Sequence, residues 1–419
     1  TGSFTIDSLN TLNTTNNALT ITSKNMSLNT NGAINSGTAE TTLQVSQSGD
    51  TIGLGGGAGT FSLSSNDLAQ ITAGGLTIGS ADNGTITVDG VTSTSTPLIL
   101  IANSGASAVN FSSNASSFGN LTVDTGTGGM GFGVNVSTAN LTVASGGAVN
   151  FGGDLTTTGN LNVTSGGAIT DTGILLVDET SSFTTNVADQ AITLDSTSSS
   201  FIGAVSLNTI GTGDATLISD NAVTLSTSTV GRDLNVTVDG GNSLNVTGKS
   251  TAGGPINLSA DDDIIFTAAG DLSANGNISV KADDDSLADA GSGGALTMED
   301  GTVFKAGSGV LALSADEDIT LGRVETSSAS DTAVTLTSTS GGVVDGDTAL
   351  PPKFTSLGAD STPWLDVDAA NGRLVADVAT GFGAENAIET KVKSLDIANS
   401  TAGRVDIFEF DDLDIFKIN

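Results

Sequence analysis

The chain has no cysteine, no histidine and no tyrosine, and only one tryptophan, five prolines and 12 basic residues among 419. Without cysteine there can be no disulfide staple, thiolate ligand or thiol nucleophile. Without histidine the commonest general base and proton shuttle is missing. The shortage of lysine and arginine, set against 46 acidic residues, leaves a net charge of −34. A chain so acidic repels phosphate backbones and anionic membrane surfaces, which argues against nucleic acid as a partner. Long apolar runs are absent too: the longest is "PLILIA" around Leu98, so no membrane-spanning helix is read. The opening "TGSFTID" shows neither an initiator Met nor a charged-then-apolar leader, and the expectation is an interior or processed segment of something longer.

What is abundant is glycine, 55 residues, together with Ser, Thr, Asn and Asp, a mixture that disfavours helix and favours strands and turns. At 37% hydrophobic the chain has enough Val, Ile, Leu, Phe and Ala to bury a core. One phrase returns: "GNLTVDTGTGG", "ANLTVASGGAVNFGG" and "GNLNVTSGGAITDTG" place leucines at Leu121, Leu141 and Leu161, a period of 20. Such a period marks a chain that stacks one short unit on the next. Within each unit Leu and Val flank a Thr or Asn, the alternation of a short strand. A unit of that size holds two or three strands of three to five residues but no core of its own. Each strand must therefore pair with its counterpart one coil on, in parallel, with Leu stacked on Leu and glycine at the corners. The reading is all-β: a parallel β-helix of roughly 20 residues per coil and about 21 coils, with Leu121, Leu141 and Leu161 in one interior column. An antiparallel sandwich accounts for short strands equally well, but not for the recurring phrase. The one stretch with helical spacing is "GAENAIETKVKSLD", through Ile388, Val392 and Leu395, and a helix there is the less favoured reading.

Charge divides the chain. Lys24 is the only basic residue before Arg232, and the first 231 residues hold 15 of the 46 acids. Four regions follow: neutral Ser/Thr/Asn/Gly-rich coils over 1–231, acidic coils over 232–347, a Pro/Trp-containing loop or insertion over 348–372, and further coils over 373–419. The interruption gathers Pro351, Pro352, Pro363 and Trp364. Proline cannot donate to a ladder, so this stretch should leave the sheet, with Trp364 anchoring it over the coils or presenting a recognition loop.

Catalysis finds little support. A β-helical enzyme acting on acidic polysaccharide would want Lys or Arg beside its substrate, and paired carboxylates such as those in "ADDDII" or "DDLDIF" would be needed for glycoside hydrolysis. Its mark would be a groove lined by convergent carboxylates and a cation. Sugar stacking is disfavoured by the absence of Tyr and by the core-like spacing of the 15 Phe. "LGGGAG" at Leu54–Gly59 and "GTGGMGFG" at Gly126–Gly133 resemble phosphate loops only superficially, having no Gly-Lys-Ser/Thr ending and no following helix, and read as corners.

The acidic half suggests cations instead. Asp261, Asp262 and Asp263; Asp283, Asp284 and Asp285; and Asp316, Glu317 and Asp318 crowd carboxylates at corners that stacking would bring to about 5 Å. Like charges so placed repel unless a cation bridges them, and Ca²⁺, with six to eight oxygen ligands in loose geometry, suits them. "LDVDAANG", with Asp366 and Asp368, is a further candidate. The alternative is solvated turns whose charge only keeps the chain dispersed.

Several segments go further than pattern. "FSLSSNDLAQITAGGLTIGSADNGTITVDG", "INLSADDDIIFTAAGDLSANGNISVKADDDS" and "VLALSADEDITLGRVETSSASDTAVTLTSTSGGVVDGD" resemble the filamentous haemagglutinin-like repeats of very large bacterial exoproteins. The resemblance implies a right-handed β-helical shaft displayed on the bacterial cell surface or released, structural or adhesive, with no catalysis. Its implied partners are other copies or adjoining segments of the same exoprotein and a host, neighbouring-cell or polysaccharide surface.

Overall fold

The computed structural model describes residues 2–93, 96–283, 293–346, 365–384 and 386–418. The chain forms two compact units, Thr1–Gly203 and Ala204–Asn419. Both are parallel β-solenoids, and together they make about 18 turns. Among the described residues the strands pair in parallel, as they must when each strand meets its counterpart one coil later.

In the first unit a coil has three faces. Asn120–Thr125, Asn140–Ser145 and Leu161–Ser165 lie on a long face; Gly129–Phe132, Val149–Phe151 and Ile169–Asp171 on a second; Val136–Thr138, Leu155–Thr157 and Leu175–Val177 on a third. The expected leucine column is present: Leu121 pairs with Leu141 and Leu141 with Leu161, and it extends upward through Leu98 to Leu76. All five are buried. Beside it run Ile78, Leu100, Val123, Val143, Val163 and Phe183. Each such side chain contributes about 1.5–3 kcal/mol by leaving water, and none has a core to enter until the next coil supplies it.

The columns end in hydroxyls where the chain must turn. Thr125 donates to Ser145 Oγ at 2.8 Å, and Ser145 Oγ accepts the Gly147 N–H two residues on, as Ser165 Oγ accepts that of Gly167. These buried Ser residues close the corner on their own backbone, which is why "SGG" follows the strand. On the second face Phe111, Phe132 and Phe151 stack with centroids 5.1 and 5.0 Å apart. The "LGGGAG" stretch is a tight corner: a Cβ on Gly57 would lie 2.1 Å from the Thr87 carbonyl oxygen, and one on Gly53 2.1 Å from that of Gly57. Only glycine permits this approach.

Fewer coils form than a uniform period of 20 gives, because the coils lengthen. Partners are 20 residues apart at Asn120 and Asn140 but 33 apart at Asn277 and Val310. In the second unit the long face runs from Ala215–Ser219 through Leu234–Val238 and Ile256–Ala260 to Val334–Ser338. It ends in two 12-residue strands, Val367–Val378 and Ile388–Asn399, that each run across a corner. The segment with helical spacing is thus the strand Ile388–Asn399; coil stacking outweighs its local periodicity. Among the described residues the one helix is Ser65–Ala69, opened by a capping box in which Ser64 and Asp67 satisfy each other's backbone N–H. No helix there is long and apolar enough to cross a membrane. Pro351, Pro352, Pro363 and Trp364 lie outside the described residues.

Candidate functional site

Acidic and amide side chains at the corners have a job in the fold. A parallel strand begins with a backbone N–H that its own coil cannot satisfy, and an Asp or Asn in the coil above accepts it. Asp154 Oδ1 takes the Ile174 N–H at 3.0 Å, Asn140 Oδ1 that of Asn160 at 2.8 Å, and Asp271 Oδ1 that of Val303 at 2.9 Å. The last acid of two triplets follows the same rule, and the others take different donors. Asp263 Oδ1 accepts from Ala295 N at 2.9 Å, and Asp318 Oδ1 from Gly342 N at 2.7 Å. Asp262 accepts from the Ser243 hydroxyl at 2.7 Å, Asp261 from Gly241 N, and Asp316 from the hydroxyls of Thr339 and Ser340. Asp283 donates its backbone N–H to the Asp262 carbonyl, and Glu317 is exposed. Asp284 and Asp285 lie outside the described residues. Asp263→Ala should therefore cost about 1–3 kcal/mol by stranding the Ala295 N–H, while Asp263→Asn, which keeps an acceptor oxygen, should cost little; denaturant unfolding of the two variants checks this.

A different group gathers carboxylates. Among the described residues Asp345, Asp366 and Glu389 are the one set of three whose carboxylate oxygens all lie within 4.8 Å of one another. Asp345 ends the strand Val343–Asp345, Asp366 sits at the corner just before Val367, and Glu389 is the second residue of Ile388–Asn399. Coil stacking brings Asp366 over Glu389: Asp366 N donates to the Glu389 carbonyl at 3.0 Å, and Glu389 N to Asp366 Oδ2 at 2.9 Å. The Asn386 amide donates to Asp345 Oδ2. Asp366 and Glu389 are 1% and 0% exposed. Carboxylates this close and this dry cannot all carry full charge without a cation or shared protons. The set is all oxygen, the donor chemistry of Ca²⁺ or Mg²⁺. Of the two "LDVD" acids, the fold brings Asp366 here and sends Asp368 elsewhere. Asp345 and Glu389 were missed because they stand 21 residues before and 23 after Asp366, a spacing that acquires meaning only with the coil register.

Asp368 belongs to an outward charge ladder across the strands Val303–Lys305, Arg323–Glu325, Val367–Val378 and Ile388–Asn399 of the second unit. Lys305 pairs in register with Glu325, Glu325 with Asp368, and Asp368 with Lys391. Lys305 Nζ lies 3.0 Å from Glu325 Oε2, and Arg323 spans Glu325 at 2.5 Å and Asp368 at 3.7 Å. A shallow cleft of about 350 Å³ opens here, lined by Lys305, Gly307, Glu325, Thr326, Ser327 and Asp368. Cross-strand opposite charges stabilise a sheet modestly, by about 0.2–1 kcal/mol a pair. Farther up the second unit, the Arg232 guanidinium on Asp214 holds that carboxyl below its ordinary range.

A family model described as repeats of unknown function, DUF5649, matches residues 138–208, which include the Leu141 and Leu161 coils. No curated protein and no solved structure matches the chain. The match concerns the repeat, and is similarity over part of the chain.

Proposed function

We propose that this chain is a shaft segment of a bacterial exoprotein, exposed at the cell surface or released, with a structural or adhesive and non-catalytic role. The observation that supports it most is the use the fold makes of its polar side chains: corner Asp and Asn residues are acceptors for the next coil, and inward hydroxyls close corners. Little reactive chemistry is left over. The outward Thr, Ser and Asn rows, free of tyrosine, suit a polar surface that spaces or presents other parts of a longer polypeptide. Its partners would be neighbouring segments or copies, or a host, neighbouring-cell or polysaccharide surface. The Asp345–Asp366–Glu389 group is where such a shaft would hold a divalent cation. Protease treatment of intact cells making the whole protein tests the location: the solenoid should be cleaved from outside or recovered in the medium, and full protection inside intact cells would overturn the reading.

A second reading rests on the cleft over Lys305, Glu325 and Asp368, which places two carboxylates beside cations on one face: a polysaccharide-active enzyme. Release of reducing ends or unsaturated products from acidic polysaccharides, abolished by Glu325→Gln and by Asp368→Asn, would favour it over the shaft.

A further inference from the structure

The phenylalanine column of the first unit is interrupted by an acid. Phe111, Phe132 and Phe151 stack, and the residue in register with Phe151 on the next coil is Asp171. It closes the strand Ile169–Asp171, whose Ile169 is fully buried, and is itself 4% exposed. Below, Ile169 pairs with Ile192 and Thr170 with Thr193, so that Leu194 takes the following position. One carboxylate oxygen, Oδ1, accepts the Asp195 N–H at 2.9 Å. The other, Oδ2, is buried with no hydrogen-bond partner.

The surroundings offer the charge backbone N–H groups, of Asp195 above all, but no cation. The strand above, Val149–Phe151, carries no titratable group and leads to Asp154; the strand below, Ile192–Leu194, leads to Asp195; on its own coil Asp178 and Glu179 follow the third strand. All four are acids, and no Lys or Arg occurs between Lys24 and Arg232. Burial against the aromatic column, aided by Asp195, disfavours the ionised form and pushes the carboxyl up to about 6.

We propose that Asp171 is a proton-operated latch: protonated, it lets the Ile169–Asp171 rung close between the phenylalanine column and the Ile192–Leu194 rung, and ionised, it loosens that contact. An acid group raised in the folded state contributes most below its unfolded value near 3.8 and loses that contribution as pH rises through about 6. The rung is therefore tightest in mildly acidic surroundings and most open at neutral and alkaline pH.

Hydrogen exchange on the full chain between pH 4 and 7.5 reads this at the Asp195 amide. After correction for intrinsic exchange, the opening constant is expected to rise with pH by up to about 100-fold in the native chain. It should stay flat in Asp171→Asn, which keeps the acceptor oxygen and removes the charge. The same pH profile in both proteins would overturn the latch. Should Asp171→Asn fail to fold, carboxyl-labelled NMR of the native chain decides: a midpoint near 6 is expected for Asp171, and an ordinary one below about 4.5 would overturn it.

Discussion

Phe132→Ala is expected to destabilise the Thr1–Gly203 unit by about 3–5 kcal/mol, as removal of a buried aromatic side chain leaves a cavity that close-packed neighbours fill only in part. Phe132 is 1% exposed and held between Phe111 and Phe151, so it forms part of two coil interfaces at once. In a stacked solenoid each coil is stabilised by its two neighbours, and loss of a shared side chain weakens both contacts. Denaturant unfolding should show a lower midpoint and a broader transition as the coils on either side uncouple. Phe132→Leu, which keeps most of the volume, should cost less than about 1.5 kcal/mol. Thr142→Ala, on the outward side of the long face, should fall within about 0.5 kcal/mol of the native chain. Equal losses for Phe132→Ala and Thr142→Ala would mean that the column does not carry the stability.

Calcium at 10 mM is expected to stabilise the chain by about 1–3 kcal/mol over the chelator-treated protein, the gain for an ion about 10- to 100-fold above its dissociation constant at an extracellular-type site. Asp366→Asn should abolish that gain, because it removes one carboxylate of the three while an amide oxygen can still accept the Glu389 N–H. Calorimetric titration followed by thermal unfolding of both proteins measures it. A calcium shift that survives Asp366→Asn would place the ion at the Asp261–Asp263 or Asp316–Asp318 corners, and no shift in the native chain would mean that Asp345, Asp366 and Glu389 hold no calcium.

The repeated phrase carried most of the architecture. Alternating Leu and Val in a 20-residue unit too small for a core of its own leave parallel pairing with the next coil as the way to bury them, and the Leu121–Leu141–Leu161 column is that argument realised. The short helix was legible too, in "SSND", whose Ser64 and Asp67 stand at capping-box spacing. Its five residues are too few to show a helical period.

The acids divide differently. That they crowd corners could be read from "ADDDII" and "ADEDIT"; that Asp263 and Asp318 accept backbone N–H groups from the following coil could not, since the donors, Ala295 and Gly342, are unremarkable residues set by the length of each turn. Local alternation and the need to bury apolar side chains determined from sequence that this is a parallel β-solenoid and which residues face inward. Tertiary structure alone decided which polar groups meet, bringing Asp345, Asp366 and Glu389 together and setting Asp171 beneath Phe151. The physical reason is that coil length varies, from 19 residues between Val136 and Leu155 to 43 between Val324 and Val367, so the residue stacked beneath any given corner depends on every loop between them and on no local pattern.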